Sequence, residues 1–239
     1  MPRFDRRRFH RLMVAGLVTP AIAQAEGPSD PTGRIMTVRG PILPADLGRF
    51  LPHEHLLVDF IGADRVSPDR YRVEDVIRAA LPHLERLKRQ GARGLADCTP
   101  AYLGRDPRLL KSLSERTGLH LLTNTGYYNA GGGKYFPESA RRLSAESIAQ
   151  IWLNEWRNGI EGSGVHPGFL KIGVDRAPLS ETSRRLVEAA ALTHLGSGLT
   201  IASHTGDGAA ALEQLEILRS LGVAPAAFIW VHAQSESQD

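Results

Sequence analysis

Six short apolar runs, set between longer amphipathic stretches, constrain this chain more than any other feature of its sequence. They cover residues 49–55, 94–99, 119–125, 168–174, 199–204 and 227–232. Runs of this length and polarity predict buried strands. Between the first two, Val73, Val76, Ile77, Ala80, Leu81, Leu84 and Leu87 fall on one face at helical spacing. They predict a helix over 73–90, stopped at Gly91 and kinked at Pro82. Asp106-Pro107 opens a second helix, with an acidic cap and proline in the first turn. Further helices are expected over 144–156, 180–194 and 207–221. Strands alternating with helices imply βαβ units on a parallel sheet, an α/β fold in one continuous domain.

With 239 residues, 42% of them hydrophobic, the chain can bury a sizeable core. Its net charge of +3 does not describe that core. Arg3, Arg6, Arg7, Arg8 and Arg11 stand against Asp5 alone in the first 25 residues, and the remainder is close to neutral. Nucleic acid is therefore not an expected partner. Arg6-Arg7-Arg8-Phe9, an apolar stretch from Leu12 to Ala23, and Ala23-Gln24-Ala25 have the order of a secretory signal. Paired arginines followed by Phe point to the twin-arginine route, and so to a periplasmic or exported protein. The bland alternative is an uncleaved amphipathic anchor. The apolar stretch is too short for a stable membrane span, which needs roughly 20 residues. Residues 1–25 are thus read as a twin-arginine-type signal peptide, 26–35 as a Gly/Pro-rich linker and 36–239 as the domain. Cys98 is the one cysteine, so neither an intramolecular disulfide nor a thiolate cluster can form.

The chemistry sits where the apolar runs end. His53 and His55 flank Glu54, and strand alternation sends both imidazoles to one side, where they can chelate a metal together. His204 and His232 end the fifth and sixth runs. Histidines at the ends of successive parallel strands converge on one mouth of a barrel. Neutral imidazole suits Zn²⁺ first, and also Mn²⁺, Co²⁺ or Fe²⁺. Lys171 interrupts the otherwise apolar fourth run. Either it pairs with an acid such as Asp175, or it stays neutral and captures CO₂ as a carbamate.

These motifs together resemble the phosphotriesterase family of the amidohydrolase superfamily. The resemblance rests on Gly40-Pro41-Ile42, Leu51-Pro52-His53-Glu54-His55, residues 94–99 with Leu103-Gly104-Arg105-Asp106, and Thr125-Gly126-Tyr127-Tyr128. It continues through residues 159–164, Phe169-Leu170-Lys171, 201–204 and Val231-His232, covering roughly residues 36–232 in order. It implies a TIM-type (β/α)₈ barrel and a binuclear centre of two divalent ions. His53 and His55 would hold one ion, His204 and His232 the other, with carbamylated Lys171 and a hydroxide bridging them. The family's remaining ligand, an Asp ending the eighth strand, has no counterpart here. The expected fold is therefore an incomplete barrel of about six of eight βα units. The implied reaction is hydrolysis of a small-molecule ester, either a phosphotriester or a lactone or carboxylic ester. Tyr102, Tyr127 and Tyr128 are candidates to line the substrate pocket, against ordinary packing roles. The alternative is an impaired metal- or ligand-binding remnant of such an enzyme. By the same resemblance a homodimer is the expected assembly.

Overall fold

The structure, a computed structural model, describes residues 33–235. The leader, its cleavage site and most of the linker read from the sequence lie outside that range.

The chain opens with an antiparallel hairpin, β1 (Ile35–Thr37) and β2 (Gly40–Ile42), which the apolar pattern did not reveal. It begins at Ile35, one residue inside the stretch read as linker. A short helix α1 (Pro44–Leu47) leads into β3 (Phe50–Glu54). There follow α2 (Val73–Arg89), β4 (Gly94–Asp97), α3 (Pro107–Thr117), β5 (His120–Leu122) and β6 (Asn124–Thr125). Next come α4 (Ala145–Asn158), β7 (Phe169–Val174), α5 (Glu181–Ser197), β8 (Ile201–Thr205), α6 (Gly208–Ser220) and β9 (Phe228–Val231). Each of the six apolar runs thus contains strand. The third is split at Thr123, with β5 pairing back to β4 and β6 pairing forward to β7.

All the pairings from β3 to β9 are parallel and follow chain order, in sheets β3-β4-β5 and β6-β7-β8-β9. This is the βαβ architecture that alternation implies. Among the described residues β3 pairs only with β4 and β9 only with β8. Helix α2 continues through Pro82, where the sequence suggested a kink. The helix starts are set by side-chain caps. Asp106 accepts from the Arg108 and Leu109 N–H groups, Ser144 from Ser147, Ser180 from Ser183, and Asp207 from Ala210.

Strand alternation sorts the core into two layers. Leu170, Ile172, Val174 and Ile201 point outward and pack with Trp152, Leu186, Val187 and Leu218 from the helices. Leu95 and Leu121 do the same against Leu84, Leu109 and Leu113. Ala96, Cys98, Leu122, Phe169, Ala202 and Val231 form a separate inward-facing cluster. Lys171 lies two residues beyond Phe169, and His204 two beyond Ala202. The pleat therefore places both on the inner face, one layer toward the strands' C-terminal ends.

Candidate metal centre

His53 lies near the end of β3 and His55 just past it, and their Nε2 atoms are 3.2 Å apart. The strand is irregular between Leu51 and Glu54, where Pro52 interrupts the pairing with β4, yet the two rings still face one another. The His53 ring centroid is 4.8 Å from that of His232, which is 4.9 Å from that of His204. All four histidines expected from the sequence thus meet. His232 reaches the cluster by an unforeseen route. It follows the inward-facing Val231, so an extended backbone would turn it away, but it adopts a left-handed conformation with φ 72°.

Lys171 is buried, and Nζ donates to the carbonyl of Ile172 at 3.2 Å. It makes no ion pair among the described residues. The pairing with Asp175 considered from the sequence does not form. The Asp175 carboxylate instead accepts from the Gly131 and Gly132 N–H groups at 2.8 and 3.1 Å. Tyr128 covers the site: Lys171 Nζ is 5.3 Å from its ring centroid, and the His204 ring lies 5.2 Å away. Two glycines make this possible. A Cβ on Gly173 would sit 2.4 Å from the Tyr128 ring, and one on Gly126 would sit 2.0 Å from the Lys171 carbonyl oxygen.

Burial sets the electrostatics. It lowers His53, His55 and His204 to about 4, and the nearby Lys171 charge pushes each the same way. His232 is lowered for the same two reasons. Burial lowers the Lys171 amine to about 8. At neutral pH the histidines therefore offer lone pairs rather than charge. Two nitrogens on one tetrahedral ion, each about 2.0–2.1 Å from it, stand about 3.3 Å apart, close to the His53–His55 approach. Among the described residues no three His, Cys, Asp or Glu side chains are drawn into full ligand geometry. The residues that could hold a cation are the four imidazoles, held unprotonated by burial, and the buried Lys171.

A titration consequence follows for the metal-free protein. A histidine whose pKa is depressed on folding contributes stability above about 6.5 that is lost as pH falls toward 4. Asp97 works in the opposite sense, because burial raises its carboxyl to about 6. One carboxyl stands against several imidazoles, of which the exposed His55 counts least because solvent screens it. The thermal midpoint should therefore be lower at pH 5 than at pH 7.5, by about 2–4 °C for each kcal/mol lost. A midpoint that is flat or rises toward pH 5 would contradict this electrostatic picture.

The tyrosines separate. Tyr128 belongs to the histidine cluster, whereas Tyr102 and Tyr127 line a cavity of about 320 Å³ that includes none of the four histidines. Leu57, Tyr71, Ile151, Arg105, Glu155 and Glu161 also line that cavity. Supporting residues were given no role from the sequence. Thr99 Oγ1 lies 2.8 Å from His55 Nδ1, and Asp97 accepts from the Leu56 and Thr99 N–H groups. Alternation could have signalled Asp97 only as a buried acid at a strand end.

The family model for the phosphotriesterase family matches residues 33–238. The chain belongs to that family. It is similar to the phosphotriesterase homology protein of Escherichia coli K12, at 29% identity over 74% of this chain and 59% of that protein. It is also similar to the aryldialkylphosphatase of Saccharolobus solfataricus, at 28% identity over 78% of this chain and 59% of that enzyme. The N-acetyltaurine hydrolase of Rattus norvegicus is 25% identical over 73% of this chain and 57% of that enzyme. The chain thus spans about three fifths of the length of the curated relatives it matches. Among the described residues no helix is long and apolar enough to cross a membrane.

Proposed function

We propose that this member of the phosphotriesterase family is a metal-dependent hydrolase of small esters, acting on phosphotriesters or on lactones and carboxylic esters. One observation carries the reading. Four imidazoles and a buried lysine, without an ion pair among the described residues, meet at the C-terminal ends of parallel strands, where enzymes of this architecture place their chemistry. The donors fit two divalent ions, zinc first. His53 and His55 would hold one, His204 and His232 the other, and a carbamate on Lys171 would supply an anionic oxygen donor. Bound there, the ions supply Lewis-acid polarisation of the scissile carbonyl or phosphoryl oxygen and lower the pKa of water.

The rest is the work of the chain. Burial keeps the imidazoles unprotonated, so their lone pairs are available near neutral pH. Burial lowers the Lys171 pKa to about 8, so far more of it is a free amine near neutral pH than of an unperturbed lysine. That amine adds to CO₂, forming an N–C bond and releasing one proton, and the product is an anionic oxygen donor among neutral nitrogens. The Tyr128 ring lies over this amine, 5.3 Å from Nζ to its centroid. A relative named for hydrolysis of N-acetyltaurine brings amides within reach of the same chemistry. Export through the twin-arginine route, and a homodimer, stand as proposals resting on the leader and on resemblance.

The test uses the full chain, stripped with chelator and reloaded with zinc, manganese, cobalt or iron. It should hydrolyse at least one of an aryl phosphotriester, a lactone and a carboxylic ester. His55→Ala should lower turnover by about 10²-fold or more, in the range seen when an electrostatic stabiliser is lost. Turnover that survives metal removal or this substitution would overturn the proposal.

A further inference from the structure

The ring of His55 has a neighbour on each nitrogen. Nε2 faces Nε2 of His53, and Nδ1 lies 2.8 Å from the hydroxyl of Thr99. Thr99 is buried and held on all sides. Its N–H donates to Asp97 Oδ1 at 3.0 Å, and its carbonyl accepts from Asn124 Nδ2 at 3.0 Å. The same Asn124 amide also donates to the Asp97 carbonyl, tying β6 to the turn after β4. Asp97 Oδ2 accepts the Leu56 N–H at 2.7 Å, fixing the residue that follows His55. Two chain segments, 55–56 and 97–99, are thus locked together at the one point where the His55 ring can be aimed.

A hydroxyl can either accept from Nδ1–H or donate to a bare Nδ1. The other face of the ring favours the first. Nε2 is directed at the histidine cluster, 3.2 Å from Nε2 of His53, while Nδ1 meets a hydroxyl oxygen that can accept its proton. We infer that Thr99 is a positioning residue that takes the Nδ1–H of His55 and so keeps the Nε2 lone pair turned toward His53 and the cluster, with Asp97 and Asn124 holding Thr99 in place. This deepens the metal-centre reading and rests on it for its consequence, but the tautomer itself is a property of the metal-free chain. A metal-ligating histidine is commonly anchored through its other nitrogen, and loss of such a partner costs about 10–100-fold in metal affinity.

The experiment records histidine ring ¹⁵N spectra of the metal-free full chain at pH 7.5, with His55 assigned by its loss in His55→Gln. Wild type should show His55 as the Nδ1–H tautomer. Thr99→Val, which keeps the shape but removes the hydroxyl, should shift it toward Nε2–H. Thr99→Ser should keep the wild-type tautomer. In zinc competition against a chromophoric chelator, Thr99→Val should bind about 10–100-fold more weakly and Thr99→Ser close to wild type. An Nε2–H tautomer in wild type overturns the inference, as does a Thr99→Val protein with unchanged tautomer and affinity. Should Thr99→Val fail to fold, the wild-type spectrum still decides. Failure of the wild type to bind zinc would remove the metal reading, while the tautomer would still judge the role of Thr99.

Discussion

Replacing Arg105 by alanine should cost the fold about 3–5 kcal/mol, a large share of the roughly 5–15 kcal/mol that holds a domain together. The Arg105 side chain is 1% exposed. Its guanidinium makes a two-pronged contact with Glu155, Nη1 to Oε2 at 2.9 Å and Nη2 to Oε1 at 2.7 Å. Nη2 also reaches Glu161 at 2.9 Å, and Nη1 the Asn124 carbonyl at 3.0 Å. Burial alone would lower the guanidinium pKa, but the two carboxylates more than offset this and raise it. Glu161 is half in solvent and can rehydrate once the arginine is gone. Glu155 cannot, because its side chain is 15% exposed and already accepts from Thr125 Oγ1 at 2.5 Å. The substitution therefore strands a buried charge beside β6. Urea unfolding followed by far-UV circular dichroism measures the loss. Arg105→Lys keeps the charge without the fork and should fall between wild type and alanine. An alanine variant within about 1 kcal/mol of wild type would show that the pair is not buried in solution.

Lys171→Met should have the opposite profile, lowering metal content and removing turnover while leaving the metal-free fold as stable as before or more so. Among the described residues the amine makes one hydrogen bond, to the carbonyl of the adjacent Ile172, and one contact with the Tyr128 ring, while burial works against its charge. Methionine keeps the stem that packs on the inner face and removes the group that is costly to bury. The site loses the one source of an anionic donor among the five proposed ligands, and metal content should fall to about one ion per chain or fewer. Lys171→Met with a lower unfolding midpoint in the metal-free state would mean that the lysine is structural. Undiminished metal content would mean that it is not a ligand.

What could be read in advance follows from the range of the interactions. Strands β3, β4, β7, β8 and β9 announce themselves because each is a local run of apolar residues, and four helices because their caps are local as well. The four histidines and Lys171 were legible for the same reason, since each interrupts or ends such a run. The hairpin at Ile35–Ile42 was missed because its strands have three residues each, too few to show a period. The split at Thr123 depends on which neighbour each half of the strand meets. Arg105 and Glu155 are 50 residues apart, and Thr99 and His55 are 44 apart, so neither contact leaves a local trace. Tyr127 and Tyr128 are adjacent in the sequence, and alternation sends neighbours to opposite sides. Tyr127 packs edge-on against Trp152 and Phe136, and Tyr128 alone reaches the histidines.

The most direct measurement of the central claim is metal content. The full chain is stripped with chelator, reloaded with zinc in bicarbonate buffer, desalted and subjected to elemental analysis, beside a variant in which His53, His55, His204 and His232 are all glutamine. The account predicts about two zinc ions per wild-type chain and close to none in the variant. Wild-type protein that retains no zinc, or a variant that retains as much as wild type, would contradict it.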